Sequence, residues 1–325
     1  MSPSQHAVDD RANLTGTNRF ELLLFRLGAN TESGKSELYG INVLKVREIV
    51  TMPTVTAVAG APKYSLGVVQ LRDQVIPVFD LPAIIGCTLP TAPTLMLVTE
   101  FGRTTQAFTV ESVDDIVRLD WNDVISAESS GTSQSLVSSM ARLEGAAGDA
   151  ADEVRLAQVL DVEAILQMVT PEKDRHQVEE KDVGEKLTLR PGSVVLVADD
   201  SFVARSLLEQ ALKAMQVPYE MVKSGREAWD RLNVLKAAAE AEGKTILDKV
   251  ALMLTDLEMP EMDGFTLTRN IKQDTRLRAL PVVIHSSLSG SANEAHVRSV
   301  GADGYVAKFS AEELAEALRK ALSRR

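Results

Sequence analysis

The chain has 325 residues, 45% hydrophobic and 25% charged, with a formal charge of −11. That is a globular composition with room for two domains of ordinary size, each with its own core. The acidic balance argues against a nucleic-acid-binding output domain, which would carry a basic patch. The single cysteine, Cys87, excludes an intrachain disulfide, and no apolar run reaches the roughly 18 residues needed to cross a bilayer.

Residues 1–17 read as a disordered tail. They carry no apolar secretory core, so a soluble, cytoplasmic protein without membrane insertion is expected. Apolar runs of strand length then recur at Phe20 to Leu27, Leu38 to Ile41, Leu66 to Leu71, Val75 to Phe79, Leu95 to Thr99, Gln106 to Val110, Ile116 to Leu119 and Leu156 to Leu160. Turn signals such as Arg72-Asp73-Gln74 and Leu89-Pro90-Thr91 separate them. Val43, Val46, Ile49 and Val50 fit one short helix face, and Cys87 reads as a small buried residue. Ser126 to Ser139 and Gly145 to Asp152, rich in small residues, read as mobile loops. Asp161 to Met168 fits a closing helix capped by Asp161. Many short strands with turn-rich links predict β-barrels or a sandwich. Residues 18–170 hold no metal cluster, phosphate loop or nucleophile–base pair, so they read as a binding module.

Residues 171–190, highly charged and bracketed by Pro171 and Pro191, read as a linker. Residues 191–325 alternate strand and helix. The run Val194 to Ala198 ends on Asp199-Asp200. A helix follows with Phe202, Leu207, Leu208, Ala211, Leu212 and Met215 on its apolar positions. Leu232 to Lys249 is long for a helix-to-strand connection and predicts an extended helix stopped at Gly243. Leu254-Thr255 runs into Asp256, and Asp263-Gly264 reads as a turn. Pro281 to Ile284 leads through His285, read as packing or surface, to Ser286-Ser287. Tyr305-Val306-Ala307 ends on Lys308. In a doubly wound sheet these strand ends meet at one edge, where ligands bind. Three carboxylates there repel one another unless a cation is present, and few carboxylates with waters and phosphate oxygens suit Mg²⁺. A carboxylate can accept a phosphoryl group, which a hydroxyl and a lysine can then hold. The histidines His6, His176, His285 and His296 show no metal-ligand spacing.

Two family resemblances follow. Residues 191–325, with four motifs in order at strand ends, resemble the receiver domain of two-component response regulators. That implies an α/β doubly wound, flavodoxin-like fold with a five-stranded parallel sheet. It implies Asp256 as phosphoacceptor, with Mg²⁺ held by Asp199, Asp200, Asp256 and the backbone carbonyl of Glu258. It also implies Ser286 hydrogen-bonded to the phosphoryl group, Lys308 paired with it, and Tyr305 as an aromatic switch. The chain departs from the family at Phe309, where proline is usual. Because a cis bond before a non-proline residue costs about 2.5–4 kcal/mol, a trans 308–309 peptide is expected, with Lys308 still reaching the site. Glu258 adds a negative charge beside the acceptor, and the extended second helix is a third departure.

The stretch Gly67-Val-Val-Gln-Leu-Arg-Asp-Gln-Val-Ile-Pro-Val-Phe-Asp-Leu81 resembles the signature of CheW-like coupling domains. Tyr39-Gly40-Ile41, Val46-Arg47-Glu48-Ile49 and Pro62 fit the same family. The resemblance implies a pair of SH3-like β-barrels, with Gln70, Leu71 and Arg72 contacting partners. Gln70 replaces the usual asparagine and Asp73 the usual glycine. CheW-like domains join chemoreceptor tips to the histidine kinase CheA. The order of the two domains is similar to that of the CheV family. Together they imply a multidomain, phosphorylation-regulated adaptor at chemoreceptor arrays, with no enzymatic activity beyond its own phosphoryl transfer and hydrolysis. A phosphate sink that drains CheA through Asp256 is the alternative. A DNA-binding regulator is disfavoured, since no basic or helix-turn-helix segment follows the receiver.

Overall fold

The computed structural model describes residues 20–101, 104–126, 136–143, 155–170, 183–184, 186–259, 261–286, 297, 299–308 and 310–323. The tail at 1–17, the 145–152 loop, most of the linker, and Phe309 with its preceding peptide lie outside them, as do Ser287, His6, His176 and His296. The chain divides into two compact units, meeting in sequence at Arg175–His176. Among the described residues no helix is long and apolar enough to cross a membrane.

The first unit runs β1 (Phe20–Arg26), β2 (Leu38–Asn42), β3 (Val46–Thr51), β4 (Ser65–Leu71), β5 (Gln74–Phe79), α1 (Leu81–Ile85), β6 (Leu95–Phe101), β7 (Thr104–Val110), β8 (Ser112–Leu119), β9 (Val124–Ser126), β10 (Val137–Leu143), β11 (Arg155–Leu160) and α2 (Val162–Val169). These strands form two mostly antiparallel sheets, ordered β8-β1-β2-β11-β10-β9 and β3-β6-β7-β5-β4. Period-two alternation builds each core. Phe20, Leu22 and Leu24 of β1 meet Leu38, Leu119, Leu143 and Val159 in the first. Val69, Ile76, Val78, Met96 and Val98 fill the second. Gly67 adopts φ +130°, and a Cβ there would lie 2.2 Å from the Thr56 carbonyl oxygen, so glycine permits the Thr56–Val68 bridge.

Two expectations need correction. The helix face read at Val43, Val46, Ile49 and Val50 is a 3₁₀ turn at Val43–Lys45 followed by strand β3. β3 pairs with β6 from Val46↔Thr99 to Thr51↔Leu95. β-branched side chains are stiff in helices and pack well on a pleated surface, so pairing outweighs the apparent period. The loop read at Ser126 to Ser139 contains the start of β10, whose Val137 and Ser139 pair with Leu160 and Val159. The closing helix forms as read, with Asp161 accepting from the amides of Glu163 and Ala164. Cys87 is buried, with its sulfur 3.4 Å from the Tyr39 hydroxyl.

The second unit runs β12 (Val194–Ala198), α3 (Phe202–Ala214), β13 (Tyr219–Val222), α4 (Gly225–Ala241), β14 (Val250–Thr255), α5 (Gly264–Gln273), β15 (Val282–Ser286), β16 (Gly304–Ala307) and α6 (Ala311–Ser323). Its sheet is five parallel strands ordered β13-β12-β14-β15-β16. Helices cover both faces, so every residue of central strand β14 is buried. One face packs α3 and α6, the other α4 and α5. α4 is long, as read, with Gly243 at φ +66° just beyond its end. Phe202, expected on the apolar face of α3, is 59% exposed, whereas Leu208, Ala211, Leu212 and Met215 are buried as read, joined by Ala204. From the stretch read as linker, Val183 is buried in the α3–α6 core and Leu187 and Leu189 pack against it. The Arg319 guanidinium donates to the Val183 carbonyl.

Candidate functional site

Register brings the strand ends of the second unit together. Ala198 of β12 lies opposite Thr255 of β14, and the Asp256 amide extends the ladder to the Ala198 carbonyl at 2.8 Å. The residues that follow each strand, Asp199 and Asp256, therefore emerge side by side. On the other flank Ser286 lies opposite Ala307. The Lys308 amide donates to the Ser286 carbonyl at 2.9 Å.

Carboxylate oxygens of Asp199, Asp200 and Asp256 lie within 4.8 Å of one another. Lys308 Nζ sits 2.9 Å from Oδ2 of both Asp199 and Asp256. Lys308 therefore reaches the Asp256 carboxylate, and its side chain is fully buried. Asp199 Oδ1 accepts from the Ser201 amide at 3.0 Å, and Asp256 Oδ1 from the Leu257 amide at 2.7 Å. These bonds aim the carboxylates rather than leaving them to solvent. Ser286 is fully buried. Tyr305 is half-buried on β16, opposite Ile284. Glu258 lies two residues beyond Asp256, with both carboxylate oxygens shielded from water. Asp263 caps α5 through the Thr266 amide at 2.6 Å, and burial raises its carboxyl pKa. Gly264 beside it is required by close approach: a Cβ would lie 2.1 Å from the Asp256 carbonyl oxygen.

Three carboxylates against one ammonium leave the pocket net negative. Every candidate ligand is a hard oxygen, the donor chemistry Mg²⁺ requires. The residues present fit that ion, which Asp199, Asp200 and Asp256 would hold through their side chains.

One contributor escapes a motif reading. Arg205, in the first turns of α3, donates from Nη1 to the backbone carbonyls of Asp199 and Asp200 at 2.8 and 2.7 Å. Its signal was an arginine at the fifth position after the acidic pair.

In the first unit the signature residues occupy the β4–β5 hairpin. Leu71 pairs with Gln74 across a two-residue turn. The left-handed position falls on Arg72, at φ +53°, and Asp73 is spared it. The Arg72 side chain is 69% exposed and pairs with Glu48 of β3 at 2.8 Å. Arg47 Nη1 donates to Gln74 at 3.1 Å. These contacts join the hairpin tip to the opposite edge strand of its sheet, curling that sheet on itself. Gln70 is exposed and Leu71 half-buried.

Comparison with known proteins matches residues 21–170 to the CheW-like domain and 195–319 to the response regulator receiver domain. The chemotaxis protein CheV3 of Helicobacter pylori is 30% identical over 324 residues, covering 98% of this chain and 99% of that protein. The chain belongs to the CheV family of chemotaxis proteins. CheV2 of the same organism is 29% identical over 97% of this chain and 99% of that protein. Among solved structures, the receiver domain of the histidine kinase CKI1 from Arabidopsis thaliana, complexed with Mg²⁺ and BeF₃⁻, is 32% identical. It covers 42% of this chain and 92% of that one, with a TM-score of 0.36.

His285 is buried in this CheV-family receiver. Burial, and then the Lys308 charge, hold its pKa well below the ordinary 6.5. It folds neutral, whereas the unfolded chain gains a proton below that value. The contribution is complete above about pH 6.5 and is lost as pH falls toward the depressed folded pKa, at up to about 1.4 kcal/mol per pH unit. Between pH 7.5 and 5.5 the receiver of wild type should lose more stability in denaturant melts than His285→Gln, by about 1 kcal/mol. Parallel losses would contradict this.

Proposed function

We propose that this protein couples chemoreceptors to the histidine kinase CheA at receptor arrays, and that phosphorylation of Asp256 regulates the coupling. The observation carrying this reading is the meeting of Asp199, Asp200, Asp256 and Lys308 at one sheet edge, in a chain whose other unit is CheW-like.

A carboxylate oxygen of Asp256 attacks the phosphorus of a phosphohistidine. The P–N bond breaks and the imidazole leaves with its electron pair. Mg²⁺, held by the three aspartates and the Glu258 carbonyl, would neutralise charge on the phosphoryl oxygens. Lys308 turns from the Asp256 carboxylate to a phosphoryl oxygen, and the Ser286 hydroxyl donates to another. The phosphoryl group carries about −1.5 to −2 of charge, while the Asp256 carboxylate gives up its own charge on forming the acyl bond, and the negative charge moves outward onto the phosphoryl oxygens. Movement of Ser286 and Lys308 toward it draws Tyr305 inward and shifts β16 and α6. Val183, Leu187 and Leu189, on the stretch of chain arriving from the coupling unit, pack on that same face. The exposed side chains around Gln70, Leu71 and Arg72 serve as the partner contact. The protein is read as an adaptor whose only chemistry is its own phosphoryl transfer and hydrolysis.

The test is reconstituted kinase output with receptor, CheA and full-length chain. Asp256→Asn should still join the complex but leave kinase output insensitive to phosphorylation, whereas Arg72→Asp should fail to join. Phosphoryl drain through Asp256 with coupling unaltered would make the protein a phosphate sink instead.

A further inference from the structure

The carbonyls of Asp199 and Asp200 lie where the chain leaves β12 for α3. A peptide carbonyl outside a ladder needs another donor when it is partly buried. Arg205 supplies it to both from one nitrogen, at 2.8 and 2.7 Å. Bonds from an ionised donor are stronger than neutral ones.

The position is a costly one for a cation. Arg205 lies in the first turns of α3 (Phe202–Ala214), where the helix dipole disfavours positive charge. A residue placed against local preference points to a compensating role. Peptide units are planar, so pinning two successive carbonyls fixes how both Cα–Cβ bonds project. The Ser201 amide adds a second restraint on the Asp199 carboxylate. Without the clamp, repulsion among three neighbouring carboxylates would drive the pair apart.

We propose that Arg205 is a positioning residue for divalent-cation binding: it holds the Asp199–Asp200 backbone so that both carboxylates converge before any phosphoryl group arrives. This rests on reading the acidic cluster as a Mg²⁺ site. A lysine ammonium could also donate to two oxygens, but its freely rotating donors on a flexible stem are less pre-organised than the planar guanidinium, so it should serve less well.

The experiment uses the full chain as wild type, Arg205→Ala and Arg205→Lys. Mg²⁺ binding is measured by titration calorimetry without phosphodonor. Labelling by acetyl phosphate is followed across Mg²⁺ concentrations, and melting curves are recorded without Mg²⁺. Arg205→Ala should weaken Mg²⁺ binding about 10-fold or more, the usual effect of losing a partner that orients metal ligands. The Mg²⁺ needed for half-maximal labelling should rise by the same factor, while saturating Mg²⁺ restores the rate. Arg205→Lys should fall between the two, and it carries the test if the alanine variant does not melt cooperatively. Unchanged or tighter Mg²⁺ binding in the variants, or a rate that Mg²⁺ does not restore, overturns the proposal alone. A wild type that neither binds Mg²⁺ nor takes a phosphoryl group overturns the reading of the site, and the proposal with it.

Discussion

An Asp256→Asn chain given Mg²⁺ and a small acyl-phosphate donor is expected to take up no phosphoryl group, while wild type is labelled. An amide oxygen is a far weaker nucleophile than a carboxylate, and the amide cannot form the acyl phosphate. The substitution keeps the shape of a side chain packed between Lys308 and the Leu257 amide, so the fold should survive. It also removes one of three mutually repelling charges, so the metal-free receiver should melt no lower than wild type. Asp199 and Asp200 remain within reach of the same donor, which makes the experiment discriminating. Wild-type labelling in the variant, mapped by mass spectrometry to either, would remove Asp256 from the acceptor role.

Lys308→Met should have two large effects that move differently with Mg²⁺. The Lys308 ammonium is buried and bridges two buried carboxylates. Removing one partner of a buried ion pair leaves uncompensated charge and costs about 3–5 kcal/mol. Without Mg²⁺ the variant receiver should therefore melt well below wild type. Added Mg²⁺ should raise its melting temperature more than it raises that of wild type, because the cation takes over part of the neutralisation. Phosphoryl transfer should slow by about 10²-fold even at saturating Mg²⁺, since a fixed donor aimed at the developing charge is lost. Equal Mg²⁺ response in both proteins would show that the ammonium does not neutralise this pocket.

The cluster at the strand ends was legible because a parallel sheet places the residue after each strand at one edge. Asp199-Asp200, Asp256, Ser286 and Lys308 each follow an apolar run, so their order along the chain implied their meeting. The capping role of Asp161 and the length of α4 were legible for a similar reason: both depend on nearest neighbours in sequence. The β4–β5 hairpin was also marked, by two alternating runs and a short polar turn.

Other features depended on partners distant in sequence. Val46 to Thr51 carries apolar residues that fit a helix face and a strand alike, and only pairing with β6 settled the matter. Phe202 looked like a core residue until the direction of α3 turned it to solvent. Val183 sits in a charged stretch, and its burial depends on the groove offered by α3 and α6. The reach of Arg205 to two carbonyls and of Arg72 to Glu48 follows from how α3 leaves its strand and how the hairpin curls over β3. The sequence by itself determined the two domain types and the residues at the ends of the receiver strands, because hydrophobic period and strand-end chemistry are local. Tertiary structure decided which charges pair, which carbonyls are clamped and which apolar residues are covered, because those depend on the register and direction in which distant segments meet.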